Sequence, residues 1–288
     1  METLTTNKQS DALGTGIASE NNHWYDKAGT PVYTVPMTSK AGDRPTNIKD
    51  ARKLDLVPSV TLILNTMAKP GLEAWKAKQL LEASLTLPRK QGESLDDYAR
   101  RIVEDSKAQG IAAADRGTQL HKAIEDYIRN KACAFESVWF NHLVKLELAL
   151  SQHGIDLHAG QSEHSFSANV NGLCYGGKID YHKRNDECVL IDFKSKDRIE
   201  DKKLSVYDEH QMQLAAYGYG LFGRITSSKP WAWDSFRALN VFVGVQDCEV
   251  RVFEHNPQDL ENAFELFQCL LSFWSRKNHF GKFAKEKL

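Results

Sequence analysis

Gly177-Lys178-Ile179-Asp180 and, after a polar interval, Val189-Leu190-Ile191-Asp192-Phe193-Lys194 are the stretches that decide how this chain folds. Successive side chains on a strand point to opposite faces. Asp192 and Lys194 therefore share a face, and Phe193 enters the other layer. Val189-Leu190-Ile191 is the apolar, β-branched run of a buried strand. Residues 183–187 are polar and read as a turn, and folding back there sets Asp180 beside Asp192. Two carboxylates that close repel each other unless a cation lies between them. Mg²⁺ or Mn²⁺ takes such oxygen ligands.

Composition bounds the rest. The chain has 288 residues, enough for one large or two small domains with a substantial core. With 41% hydrophobic and 26% charged residues it is ordinary globular material. The net charge of -1 excludes a global basic field, so a polyanion site has to be a local patch. The five cysteines, Cys133, Cys174, Cys188, Cys248 and Cys269, are odd in number and show no C-x-x-C spacing. That argues against a disulfide framework, a zinc site and a clustered iron–sulfur motif. No apolar run approaches membrane-spanning length and no signal peptide is evident, so a soluble, cytoplasmic protein without a membrane partner is expected.

Reading outward from the two strands, the second half alternates as a sheet should. Residues 162–168 form a strand, Asn171-Gly172 a two-residue turn, and residues 173–181 and 188–194 two further strands. Residues 209–221 are helical, and 238–245 with 248–254 form a second hairpin. Asn256-Pro257 caps a last helix with Leu260, Phe264, Phe267, Leu271 and Trp274 on one stripe. The first half is mainly helical, over residues 71–83, from Ser94 to about Gln109, 116–130 and 137–153, while residues 58–64 read as a strand or, in preference, as a helix start capped by Ser59. Residues 24–35 read as a hairpin turning at Ala28-Gly29, and 38–50 as loop. Residues 1–22, polar and Ser/Thr/Asn/Gly-rich, read as a disordered leader. The expected architecture is α/β: one domain over 23–288, with a helical part at 23–155 and a sheet core at 156–288.

Three constellations accompany the acidic pair. His121 and Glu125 stand i, i+4 on one helix face behind Arg116-Gly117-Thr118, and imidazole is a good ligand for Mn²⁺. Gln213 and Tyr217 share another helix face, where an amide and a phenol can bond phosphates or stack on a base. Lys194, Lys196, Arg198, Lys202 and Lys203 form a basic run that can track a nucleic-acid backbone, with Lys76, Lys78, Arg100 and Arg101 as a candidate opposite wall. Two carboxylates and a lysine are the minimum apparatus for metal-dependent phosphodiester cleavage.

In this order the motifs resemble the PD-(D/E)xK nuclease superfamily, in its RecB-like exonuclease branch. They run Arg116-Gly117-Thr118, His121 and Glu125, then Gly177 with Asp180, then Asp192-Phe193-Lys194, then Gln213 with Tyr217. Pro58-Ser59-Val60-Thr61, Lys69-Pro70 and Trp75 are similar to the N-terminal part of phage-encoded exonucleases, and the layout is similar to mitochondrial genome maintenance exonucleases. The resemblance covers about residues 57 to 277. It implies a restriction-endonuclease-like core, a central mixed sheet flanked by helices, with a helical N-terminal elaboration. It implies that Asp180, Asp192, His121 and the Phe193 carbonyl hold Mg²⁺ or Mn²⁺, and that Lys194 orients or activates the attacking water. Gln213 and Tyr217 would hold the DNA strand or the motif helix, with Arg116, Lys196, Glu125 and Glu163 supporting. No iron–sulfur cluster is carried over, because the cysteines lack the spacing.

The implied activity is a DNA exonuclease of recombination, repair or phage DNA metabolism, in a bacterial or phage-infected cytoplasm. Its partners would be single-stranded DNA or strand ends and a recombinase or single-strand-binding protein. Two rival readings stand beside it: a non-catalytic DNA-binding or recombination-accessory protein on the same scaffold, and an interaction protein in which the motifs coincide.

Overall fold

The computed structural model describes residues 23–37, 41–184, 187–199, 204–223 and 232–284. The expected leader, the tip of the 183–187 turn, Lys202 and Lys203 lie outside the described residues.

A five-stranded mixed sheet is the centre of the chain. β5 (Gln161–Val170) and β6 (Leu173–Arg184) form a hairpin closed by Asn171 and Gly172, with φ of 53° and 76°. Positive φ at both positions matches the twist of the two strands. β7 (Cys188–Lys196) returns antiparallel to β6. α6 (Asp208–Phe222) then crosses over, so that β8 (Arg237–Gly244) runs parallel to β7. β9 (Val250–His255) closes the far edge antiparallel to β8.

Helices cover both faces, as two apolar faces require. On one, Tyr175, Ile179, Leu190 and Ala238 meet α2 (Val60–Leu64), α6 and α7 (Pro257–Lys277). α7 begins at Asn256, whose side chain accepts from the Asp259 amide, and buries Leu260, Phe264, Phe267, Leu271 and Trp274 as its periodicity predicts. On the other face, Tyr181, Ile191, Phe193, Leu239 and Val241 meet α5 (Phe140–Gln152) and the end of α4 (Leu95–Asn130). Leu120, Ile124 and Ile128 repeat at four-residue spacing along that end.

The helical half differs from expectation in three places. α4 is one 36-residue helix, not two helices broken near Gly110. Ile111-Ala112-Ala113-Ala114 follows that glycine, and three alanines in a row propagate a helix through a site that costs about 1 kcal/mol. Residues 38–50 are not simply loop. β2 (Thr34–Pro36) pairs with β3 (Asp43–Pro45), and α1 (Ile48–Lys53) starts at a capping box between Asn47 and Asp50. The turn at Ala28-Gly29 forms, bridging Tyr25 to Pro31, but β1 (Trp24–Tyr25) takes β4 (Val57–Pro58) as its strand partner.

α3 (Pro70–Thr86) lies antiparallel on the first part of α4. Their connection is tied by Arg101, which bonds both Glu93 oxygens and the Pro88 carbonyl, and by the Tyr98 hydroxyl on the Ser84 carbonyl. Among the described residues no helix is long and apolar enough to cross a membrane.

Gly177 lets α6 approach the sheet: a Cβ there would meet Tyr217 Cε1 at 2.6 Å and Phe166 Cε1 at 2.8 Å. Both rings are buried and neither can swing clear. Gly177→Ala is therefore expected to lower stability by about 1–3 kcal/mol in chemical denaturation.

His182 lies buried on β6 with neither ring nitrogen hydrogen bonded, edge-on to His164 at 4.8 Å. Burial, with His164 and Arg184 adding, pushes its pKa from 6.5 down to about 4. The fold thus holds a neutral imidazole that the unfolded chain protonates. The resulting stability is complete above 6.5 and is lost as pH falls towards about 4. His182→Leu should shrink the stability difference between about pH 7 and about pH 4.5, read by urea unfolding at the two values.

Candidate functional site

The site gathers where β6 and β7 part. Their ladder runs from Arg184 opposite Cys188 to Tyr181 opposite Ile191 and stops before Asp180. There a side chain takes over from the backbone: the Phe193 amide donates to Asp180 Oδ2 at 2.8 Å. Ile179 belongs to one core and Tyr181 to the other, so face alternation breaks at Asp180. Glu163, across from it on β5, has φ of 61°, a left-handed conformation uncommon outside glycine. Burial pushes the Asp180 carboxyl up to about 6, with Asp192 raising it further and His121 and Lys194 opposing.

Asp192, immediately after the apolar run on β7, is only 3% exposed. A buried carboxylate has to be paired and hydrogen bonded. Lys194 Nζ donates to Oδ1 at 3.0 Å and lies 2.9 Å from Oδ2. Asn240 on β8 donates to Oδ2 at 2.8 Å. The same ammonium donates to Gln213 Oε1 at 3.1 Å, and Gln213 Nε2 donates to the Tyr217 hydroxyl at 3.1 Å. The Gln213–Tyr217 pair thus holds the lysine. The Tyr217 ring is buried, edge-on to Phe166 at 5.7 Å, and seats α6 on β6, so it is closed to a stacking base.

α4 brings the imidazole. A Cβ on Gly117 would lie 2.5 Å from Ser195 Oγ, so the glycine lets α4 close onto β7. One turn later His121 Nδ1 stands 3.8 Å from Asp180 Oδ2.

The supporting residues divide. Glu163 forms an ion pair with Lys178 beside the site. Glu125 turns to Arg129 at 2.7 Å and Lys122 at 3.4 Å, away from the acidic pair. Arg116 bonds Asp197 at 3.4 Å, at the end of β7. Lys196 lies over the Phe242 ring, its pKa pushed down by burial and by Lys194. The candidate basic wall is neutralised on its own hairpin: Lys76 by Glu73, Lys78 by Glu82, Arg100 by Asp97 and Arg101 by Glu93.

Among the described residues no three of His, Cys, Asp and Glu gather closely enough to hold a metal ion. The candidate metal ligands stand apart, His121 beside Asp180, and Asp192 beside the Lys194 ammonium. Imidazole with carboxylate oxygens is a donor set that suits Mn²⁺ and, through the oxygens, Mg²⁺.

Sequence reasoning missed the layer behind Asp192. Asn240 is fully buried, and its Oδ1 meets His255 Nε2 at 2.8 Å. His255 Nδ1 in turn meets Gln211 Nε2 at 3.3 Å. His210 packs on Phe242, and burial, with Lys194 and Lys196 nearby, pushes its pKa down to about 3. The available signal was Asn240 itself, the one polar residue inside Ala238-Leu239-Asn240-Val241-Phe242-Val243.

No protein-family model and no curated protein matches the chain. Among solved structures, SSO0001 aligns with 69% of this chain and 86% of its own, at 16% identity and a TM-score of 0.30. The "Putative exonuclease" from Eubacterium rectale aligns with 57% of this chain and 68% of its own, at 12% identity and a TM-score of 0.38. Both superpositions are too loose to carry a fold or a function over to this chain.

Asp180 tests the electrostatics. Its raised pKa means that ionisation opposes folding: the stability present below 3.8 is lost as pH rises through about 6. Asp180→Asn keeps an acceptor for the Phe193 amide and removes that cost. Thermal unfolding in chelator should show the variant melting above wild type near pH 8, with the gap closing towards about pH 4.

Proposed function

We propose that this chain is a metal-dependent deoxyribonuclease with a restriction-endonuclease-like PD-(D/E)xK core, working as an exonuclease on free strand ends. The observation that carries the reading is the placement of Lys194. Its ammonium is held between Asp192 and Gln213, close to the Asp180–His121 pair. Four motifs scattered over about 100 residues of sequence come together around the central strand of one sheet.

Asp180, Asp192, His121 and the Phe193 carbonyl are the residues that would hold Mg²⁺ or Mn²⁺. A bound ion of this kind polarises a phosphate oxygen and makes its water a better nucleophile. The chain's own residues do the rest. Lys194 presents positive charge where negative charge builds on the phosphorane. Gln213 fixes the direction of that ammonium, and Tyr217 fixes Gln213. Burial of Asp192 keeps water from screening the pair. The α3–α4 hairpin, whose longer helix closes onto β7 at Gly117 beside the site, is the element on which the preference for strand ends rests. A single-strand-binding protein or recombinase fits as the partner that supplies such ends, in a bacterial or phage-infected cytoplasm. The rival reading, a DNA-binding accessory protein on this scaffold, draws on the candidate ligands' standing apart.

End-labelled linear single- and double-stranded DNA, incubated with Mg²⁺, Mn²⁺ or EDTA, tests the proposal. Wild type should degrade a linear substrate only with metal. Asp192→Asn and Lys194→Ala should each lose at least about a hundredfold in rate while keeping the wild-type circular dichroism. Wild-type turnover by Lys194→Ala would sink the role given to the lysine. Rapid cutting of closed circular single-stranded DNA would exclude the end-dependent mode. Binding without degradation would establish the accessory protein instead.

A further inference from the structure

Behind Asp192 runs a chain of side chains that the proposed chemistry has not used. β8 sets Asn240 directly beside Asp192 in parallel register. Asn240 is fully buried, and its amide nitrogen lies 2.8 Å from Asp192 Oδ2. Its amide oxygen lies 2.8 Å from His255 Nε2, and His255 Nδ1 lies 3.3 Å from Gln211 Nε2. His255 stands on β9, across from Ala238, and Gln211 on α6 two residues before Gln213.

The direction of every hydrogen bond here is fixed by chemistry. A carboxylate only accepts, so Asn240 must turn its NH₂ towards Asp192. Its oxygen then faces His255, which must carry its proton on Nε2. The unprotonated Nδ1 is left to accept from Gln211. Three donors thus point in sequence, Gln211 to His255, His255 to Asn240 and Asn240 to Asp192.

We propose that Asn240 and His255 are positioning residues for Asp192. They set the rotation of its carboxylate, with Asn240 on Oδ2 and the Lys194 ammonium bridging Oδ1 and Oδ2. The inference rests on the nuclease reading for its consequence, but not for its geometry. α6 contributes at both ends, through Gln213 on the lysine and Gln211 on the histidine. The acid–lysine pair is therefore gripped from front and back by one helix and its two neighbouring strands.

Two measurements test it. Two-bond nitrogen–proton spectra of the histidine rings, with the His255 signals assigned from a His255→Gln sample, should show the Nε2-protonated tautomer in wild type at neutral pH. Asp192→Asn removes the acceptor-only group, so the His255 signals should shift towards a mixture of tautomers. An Nδ1-protonated His255 in wild type, or unchanged signals in Asp192→Asn, would overturn the relay. This arm needs no cleavage and stands even if wild type degrades no DNA, an outcome that would remove the nuclease reading by itself.

The second arm is kinetic. His255→Phe should lower kcat about tenfold to a hundredfold with KM for DNA unchanged, the usual loss when the support behind an acidic ligand is removed. His255→Gln, whose amide can still donate to Asn240, should recover most of the rate. An undiminished His255→Phe, an equal loss in both variants, or a loss confined to KM would each refute positioning by His255.

Discussion

The constraint on which this structure turns is the burial of a carboxylate. Asp192 sits in the middle of the sheet, on a strand whose neighbours are Leu190, Ile191 and Phe193, and almost no water reaches it. An ion stripped of water costs several kcal/mol unless its lost hydration is replaced group for group. The replacement is what organises the site. Lys194 supplies the countercharge from the same strand, Asn240 a neutral donor from the next strand, and Gln213 holds the lysine from the helix between them. Because β7 and β8 are parallel and α6 lies in the crossover between them, these three elements deliver all four groups.

Asp180 meets the opposite problem by a different route. It is supplied with an amide by the premature end of a ladder, and its desolvation is left partly uncompensated. Strain and desolvation concentrate at functional sites because the surrounding structure can overdetermine them. Here the two symptoms coincide: a broken alternation at Asp180 and a left-handed Glu163 on the adjoining strand.

Much of this was legible in the chain. The period of two around Asp192, the Asn171-Gly172 turn, the Asn256-Pro257 start and the stripe of α7 all carry local chemistry that nothing distant overrides. The strands themselves follow from them, whereas their assembly into a mixed sheet flanked by helices was what the resemblance implied. What was not legible depended on partners far away in sequence. β1 pairs with β4 across some thirty residues of intervening chain, which no pattern in Trp24-Tyr25 announces. Gly110 looks like a break until the alanines beyond it are counted as helix. Glu125 follows His121 at helical spacing, yet Arg129, one turn on, claims it. Asn240 has meaning only once β8 is known to lie beside β7, because a lone polar residue in an apolar strand has no readable partner.

The Gly117–Ser195 contact has a mechanical consequence. α4 is a stiff rod of about 54 Å, clamped to the sheet near one end and carrying the α3 hairpin at the other. Beyond Gly117 the rod is held to the sheet by Leu120, Ile124 and Ile128. Before Gly117 it runs on for about 33 Å to the hairpin end, while His121 lies only about 6 Å into the held part, at 1.5 Å of rise per residue. The imidazole is therefore mounted on the length of helix that the sheet fixes, and the hairpin on the length that extends from it. Where one glycine falls along one helix sets the boundary between the two.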